Sequence, residues 1–194
     1  MRYNTVGFAI FAIKPKHMRK LSVTELNRPT IATFRQQPKT PIVVVLDNVR
    51  SALNVGAAFR TADAFALEHL YLCGITAQPP NKEISKTALG ATESVPWSYL
   101  PTAAEAVGQL QAQGYTAIAV EQAAGSIRLE NYKLPDTVKL TLVFGNEVSG
   151  VSDAVMDLVD TCIEIPQFGA KHSLNVSVCV GIVVWDLFKK IKFD

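Results

Sequence analysis

The chain has 194 residues, of which 48% are hydrophobic and 19% are charged, and its formal net charge is +2. This length is enough for one buried core and short for two, so a single domain is expected. No apolar run approaches the roughly 18 residues of a membrane span, and neither a cleavage signature nor a zinc-binding spacing occurs, so we expect a cytoplasmic protein without metal. Cys73, Cys162 and Cys179 lie far apart in apolar stretches, which is typical of reduced core residues.

Residues 1–40 are predicted to form a basic amino-terminal arm, followed by one domain over residues 41–194. Residues 1–41 contain eight Lys or Arg and one Glu, which gives 8 − 1 = +7, whereas residues 42–194 give 11 − 16 = −5. A basic arm favours a polyanionic partner, because phosphate contacts release counterions. The alternative is a merely solvated tail, and charge alone favours neither. Met18 is a candidate start, in which case the first 17 residues would be an addition without function.

Strand and helix patterns alternate after the arm. The β-branched run Ile42–Leu46 predicts a strand buried on both faces, and Ser51–Phe65 predicts a helix. Thr102 and Glu105 have the spacing of a capping box, which opens a helix that should end at Gly114. A final helix is predicted from about Leu174 to Ile191. The further predicted strands are His69–Cys73, Tyr115–Val120, Leu140–Phe144 and Thr161–Ile165.

This alternation predicts an α/β fold with a mostly parallel sheet flanked by helices. Such folds bind many nucleotides, so function must be argued from the site. Neither G-x-G-x-x-G nor G-x-x-x-x-G-K-[ST] occurs, which argues against a dinucleotide fingerprint and a P-loop.

Three segments are unusual for plain packing: Asn54–Arg60 on the predicted helix, Phe144–Gly150 after a strand, and Ile165–Gly169 followed by Ser173–Ser177. Ligands of open α/β sheets bind at the carboxyl ends of strands, where the last two fall. Each has a simpler interpretation, since the glycines suit tight turns and Ser173 suits a helix cap. An arginine in an apolar helix is harder to explain, because arginines are rarely buried without a partner.

In this order the three segments resemble the motifs of the SpoU branch of the SPOUT RNA 2'-O-ribose methyltransferases. They read Asn-x-Gly-x-x-x-Arg, then Phe-Gly-x-Glu-x-x-Gly, then Ile-Pro-x-x-Gly with Ser-Leu-Asn-Val-Ser four residues later. Lys86–Trp97 also resembles the middle region of that family. The resemblance covers roughly residues 41–191 and implies a SPOUT fold whose carboxyl-terminal part forms a trefoil knot.

The resemblance also implies S-adenosylmethionine as cofactor, held largely by backbone groups of the knot loops. Gln167 departs from the methionine that the family commonly has, which should alter the pocket wall without abolishing binding. The implied cofactor-binding residues are Gly145, Asn146, Ile165, Gln167 and Leu174. The implied catalytic residues are Arg60, Asn54, Glu147, Ser173 and Asn175.

The implied reaction is attack of a ribose 2'-hydroxyl of RNA on the sulfonium methyl group, with tRNA favoured over rRNA. Family accounts make the arginine a general base, but a guanidinium is a poor base at neutral pH, so Arg60 could instead grip a phosphate. The family implies a homodimer, and the apolar final helix offers a surface for one. Arg60 of one chain would then complete the site of the other. The alternatives are a SPOUT-like RNA-binding protein without catalysis and a nicotinamide dehydrogenase.

Overall fold

The computed structural model describes residues 18–193, and the chain divides into two compact units, Met1–Thr30 and Ile31–Asp194. The described part of the first unit is a turn around Glu25. The Glu25 carboxylate pairs with Arg19 at 2.6 Å and accepts the backbone N–H of Ser22 at 2.9 Å, which together lower the pKa of Glu25 to about 2. The second unit begins at Ile31, so it includes residues 31–40 of the predicted arm.

Within residues 18–193, seven strands form one sheet in which every pair of neighbours is parallel, in the order β3-β2-β1-β6-β4-β7-β5. The strands are β1 Thr40–Asp47, β2 Leu67–Cys73, β3 Trp97–Leu100, β4 Thr116–Val120, β5 Ile127–Arg128, β6 Leu140–Phe144 and β7 Thr161–Glu164. The helices are α1 Ile31–Gln36, α2 Ala52–Ala64, α3 Lys82–Ala88, α4 Ala91–Ser94, α5 Ala103–Gln111, α6 Asp153–Met156 and α7 Val176–Lys192. A parallel sheet flanked by helices is therefore confirmed.

The central strand β1 explains the two-sided core. Alternate residues of a strand point to opposite faces, and Ile42, Val44 and Leu46 pack into a cluster with residues of α2, α3 and α7. Val43 and Val45 pack on the other face against α5 and α6. All five side chains are at most 1% exposed. The continuous apolar run of β1 thus reflects helices on both faces of the sheet.

The predicted helix boundaries need two corrections. Helix α5 begins after Thr102, whose hydroxyl accepts the Glu105 N–H at 3.2 Å, but it ends at Gln111 rather than Gly114. Gly114 does adopt the left-handed conformation, with φ of 83°. Helix α7 begins at Val176 because Asn175 caps it, so a cap at Ser173 is wrong.

Three short elements between β2 and α5 were not predicted. Helix α3 ends where Leu89 and Gly90 take left-handed φ angles of 48° and 89°, and α4 and β3 follow with four residues each. These elements contain only one to two periods of a helical or strand pattern, which is too few for periodicity to identify them.

Candidate functional site

A cavity of about 580 Å³ lies at the carboxyl ends of the neighbouring strands β6, β4 and β7. Its volume is within the range of small-molecule sites, and the end of parallel strands is where open α/β sheets bind ligands. The cavity is lined by residues that follow each of the three strands and by the start of α7. All five predicted cofactor-binding residues line it, namely Gly145, Asn146, Ile165, Gln167 and Leu174.

The loop after β6, residues 145–150, is a tight turn organised by Asn146. The Asn146 side-chain oxygen accepts the backbone N–H groups of Val148 and Ser149, both at 3.0 Å, and Asn146 forms an antiparallel bridge with Gly150. A Cβ atom on Gly145 would lie 1.9 Å from the Gly150 carbonyl carbon. The glycines therefore serve a turn, and this turn forms one wall of the cavity.

The loop after β7 supplies the opposite wall with Ile165, Gln167, Ser173 and Leu174. Leu174 is 36% exposed, so its side chain is accessible to a ligand. Phe168 in the same loop is 90% exposed and lies outside the lining.

A chain of hydrogen bonds joins the three sequence motifs. The Asn54 amide nitrogen donates to Glu147 Oε1 at 2.7 Å, and the Asn175 amide nitrogen donates to Asn54 Oδ1 at 3.2 Å. Asn175 Oδ1 in turn accepts the N–H of Ser177 at 2.9 Å, which caps α7. These two bonds bring Asn54 together with Glu147 and Asn175, which are 93 and 121 positions away in the sequence. Glu147 also lines the cavity.

Arg60 is the one predicted site residue that lies apart from this arrangement. It is exposed and lines a separate shallow depression between α2 and α3 with Phe65, Lys86 and Thr87. The expectation that an arginine in this apolar helix would be buried is wrong, because Arg60 is on the outer face of α2. Within one chain, Arg60 does not line the cavity.

The cavity wall is acidic. Its described lining contains Glu121, Glu147, Asp153 and Glu164 and neither lysine nor arginine. Such a wall suits a ligand that carries positive charge. Cys179 also lines the cavity, and burial raises the pKa of its thiol.

Two residues that the sequence reasoning missed, Glu121 and Gln122, follow β4 and line the cavity. The sequence feature that could have identified them is their position directly after the buried strand β4, at the same edge of the sheet as the loops after β6 and β7.

Over residues 18–193, no group of three or more His, Cys, Asp or Glu side chains could hold a metal ion. No helix in that part of the chain is both long and apolar enough to cross a membrane.

Residues 41–185 match the model of the SpoU rRNA Methylase family. The chain is 32% identical over 166 residues to the 23S rRNA (guanosine-2'-O-)-methyltransferase RlmB of Vibrio parahaemolyticus, covering 86% of this chain and 66% of the relative. It is 27% identical over 153 residues to the tRNA (guanosine(18)-2'-O)-methyltransferase of Borreliella burgdorferi, covering 78% and 67%. The chain therefore spans about two thirds of the length of these relatives.

Among solved structures, the AdoMet-bound rRNA methyltransferase of Sinorhizobium meliloti superposes with a TM-score of 0.71 at 25% identity. The match covers 82% of this chain and 59% of that one. The sheet that carries the cavity therefore has a fold similar to that of this methyltransferase.

Proposed function

We propose that this chain, which belongs to the SpoU rRNA Methylase family, transfers a methyl group from S-adenosylmethionine to a ribose 2'-hydroxyl of RNA. The observation that carries the proposal is the hydrogen-bonded chain Glu147–Asn54–Asn175, which joins all three motifs beside the cavity. A 2'-O-methyltransferase must hold a nucleophile against an already activated methyl group, so a positioned polar cluster next to a cofactor cavity fits that chemistry.

The cavity residues fit S-adenosylmethionine. Ile165 and Leu174, which line the cavity, offer apolar surface for an adenine ring. The four lining carboxylates suit a cation, and the cofactor's sulfonium supplies an electrophilic methyl group. A nicotinamide dehydrogenase is less consistent, because the glycine fingerprint is missing from the sequence.

Arg60 is proposed to act in the site of a second copy of the chain. It lies outside the cavity of its own chain, yet it belongs to the same motif as Asn54. On α7, Val178, Ile182 and Trp185 are 48%, 37% and 49% exposed and follow the i, i+4, i+7 spacing of one helix stripe. An apolar stripe of this kind supports a two-fold homodimer, in which Arg60 would grip an RNA phosphate and orient the hydroxyl.

The RNA substrate is proposed to be tRNA rather than rRNA. The basic arm of residues 1–40 is proposed to bind RNA phosphates, and the protein is proposed to act in the cytoplasm. Relatives act on each kind of RNA, as their names state. Mapping 2'-O-methyl sites in RNA from cells that lack the gene would identify the substrate.

We also propose that the carboxyl-terminal part is threaded as a trefoil knot, as the family resemblance implies.

Calorimetry tests the cofactor assignment. S-adenosylmethionine should bind at one site per chain and NAD should not. Leu174→Arg should remove binding in a folded protein, because it places a charge against the apolar wall. Leu158→Arg is the matched control, since Leu158 is 42% exposed and lies outside the lining. Absence of heat with S-adenosylmethionine would refute the assignment.

A further inference from the structure

We propose that Glu121 and Gln122 form a clamp that holds the two cofactor loops at the spacing required for binding. This inference rests on the proposed function, because it assigns positioning residues to the S-adenosylmethionine cavity. Neither residue belongs to any of the three sequence motifs.

The position of β4 in the sheet makes such a clamp possible. The strand order is β6-β4-β7, so the loop after β6 and the loop after β7 leave the sheet on either side of β4. The Glu121 N–H donates to the Ile163 carbonyl at 3.0 Å, which fixes the backbone of Glu121 to β7 just beyond the last residue of β4. Side chains that follow β4 are therefore anchored between the two loops.

Glu121 holds the loop after β6. Its Oε2 accepts the backbone N–H of Val151 at 3.2 Å, and its Oε1 accepts the N–H of Gln122 at 2.8 Å. The same carboxylate packs against Gly150, where an added Cβ would lie 2.2 Å from Oε2. Gly150 is also left-handed, with φ of 66°. The glycine that ends the second motif thus fits against a carboxylate supplied by a different strand.

Gln122 holds the loop after β7. Its amide nitrogen donates to the backbone carbonyl of His172 at 2.7 Å, directly before Ser173 and Leu174 on the cavity wall. Adjacent residues thus bind opposite walls of one cavity. Loss of either contact would let one wall move, and the cofactor would then have to order that wall when it binds.

The test compares Glu121→Ala, Glu121→Gln and Gln122→Ala in the full chain. Calorimetry should give a Kd for S-adenosylmethionine that rises about tenfold in Glu121→Ala and about fivefold in Gln122→Ala, the scale of one lost hydrogen bond to a charged or a neutral group. Glu121→Gln keeps one acceptor oxygen of two and should lie between wild type and Glu121→Ala. KM for the cofactor should rise in each variant while kcat at saturation is retained.

Glu130→Gln and Gln113→Ala are the matched controls, since both residues are exposed and outside the cavity lining. Hydrogen exchange of the wild-type and variant proteins without ligand gives a second readout. Exchange at Val148–Val151 should accelerate in Glu121→Ala and not in the controls. If Glu121→Ala does not fold, Glu121→Gln and Gln122→Ala decide the matter.

Unchanged loop exchange, or unchanged cofactor affinity in folded variants, would overturn the clamp. A wild-type protein that fails to bind S-adenosylmethionine would instead refute the proposed function, and loop exchange would still decide whether the clamp exists.

Discussion

Asn54 and Glu147, 93 residues apart, are joined by a hydrogen bond of 2.7 Å from the asparagine amide to the glutamate carboxylate. Because the bond involves a charged group, it should contribute more than a neutral one. We predict that Asn54→Ala and Glu147→Ala are coupled in kcat/KM by about 1–3 kcal/mol in a double-mutant cycle. Additive effects would show that the contact plays no part in the reaction. Asn54→Ala combined with Glu130→Ala is the control pair and should be additive within about 0.5 kcal/mol.

The cysteines provide a chemical probe of the cavity. Burial raises the thiol pKa of Cys179 and Cys162, and that of Cys73 to about 12, so the reactive thiolate is scarcer than in free cysteine at pH 8. Alkylation should therefore be slow and accelerate as pH rises. S-adenosylhomocysteine should slow alkylation of Cys179, which lines the cavity, and leave Cys162 unchanged. Peptide mass spectrometry measures both sites, and equal protection of both would contradict a ligand at this cavity.

The basic arm should contribute to RNA affinity through phosphate contacts. The second compact unit begins at Ile31, so a truncated chain that lacks residues 1–30 keeps α1 and β1. The truncation removes six Lys or Arg and one Glu, a net charge of 6 − 1 = +5. This truncation should weaken RNA binding and flatten its dependence on salt, because each lost phosphate contact reduces counterion release. Cofactor affinity should stay the same. A salt slope equal to that of the full chain would show that the arm is a solvated tail.

Arg60 in one chain and the cavity of another are predicted to form each active site. Arg60→Ala and Leu174→Arg proteins should each be inactive, and a mixture with subunit exchange should regain activity. Random mixing gives about half heterodimers, each with one intact site and one doubly defective site. Methyl transfer by the mixture measures the effect, and native mass spectrometry of the mixed variants, whose chain masses differ, shows whether subunits have exchanged. Continued inactivity despite proven exchange would place Arg60 within its own chain's site.

Local patterns predicted much of the fold and the cavity. The apolar run of β1 indicated a strand covered on both faces, and the position of residues 144–150 after a strand indicated the sheet edge where the cavity lies. Both predictions rest on residues that are close together in the sequence. The hydrophobic pattern and the predicted end of a strand were therefore enough to make them.

Long-range relationships could not be predicted in the same way. The Asn54–Glu147 bond and the placement of Glu121 between two loops depend on the strand order β6-β4-β7, which local periodicity does not specify. The exposure of Arg60 was mispredicted for a related reason, since a helix pattern does not reveal which face its neighbours cover.

The most direct test of the central claim is methyl transfer followed by nucleoside mass spectrometry. Purified protein, S-adenosylmethionine with a labelled methyl group and unmodified tRNA or rRNA are incubated, and the RNA is digested to nucleosides. Label should appear in a 2'-O-methylated nucleoside, with Leu174→Arg inactive and Leu158→Arg active. Label on a base, or no transfer to any RNA by a protein that binds S-adenosylmethionine, would contradict the proposed reaction.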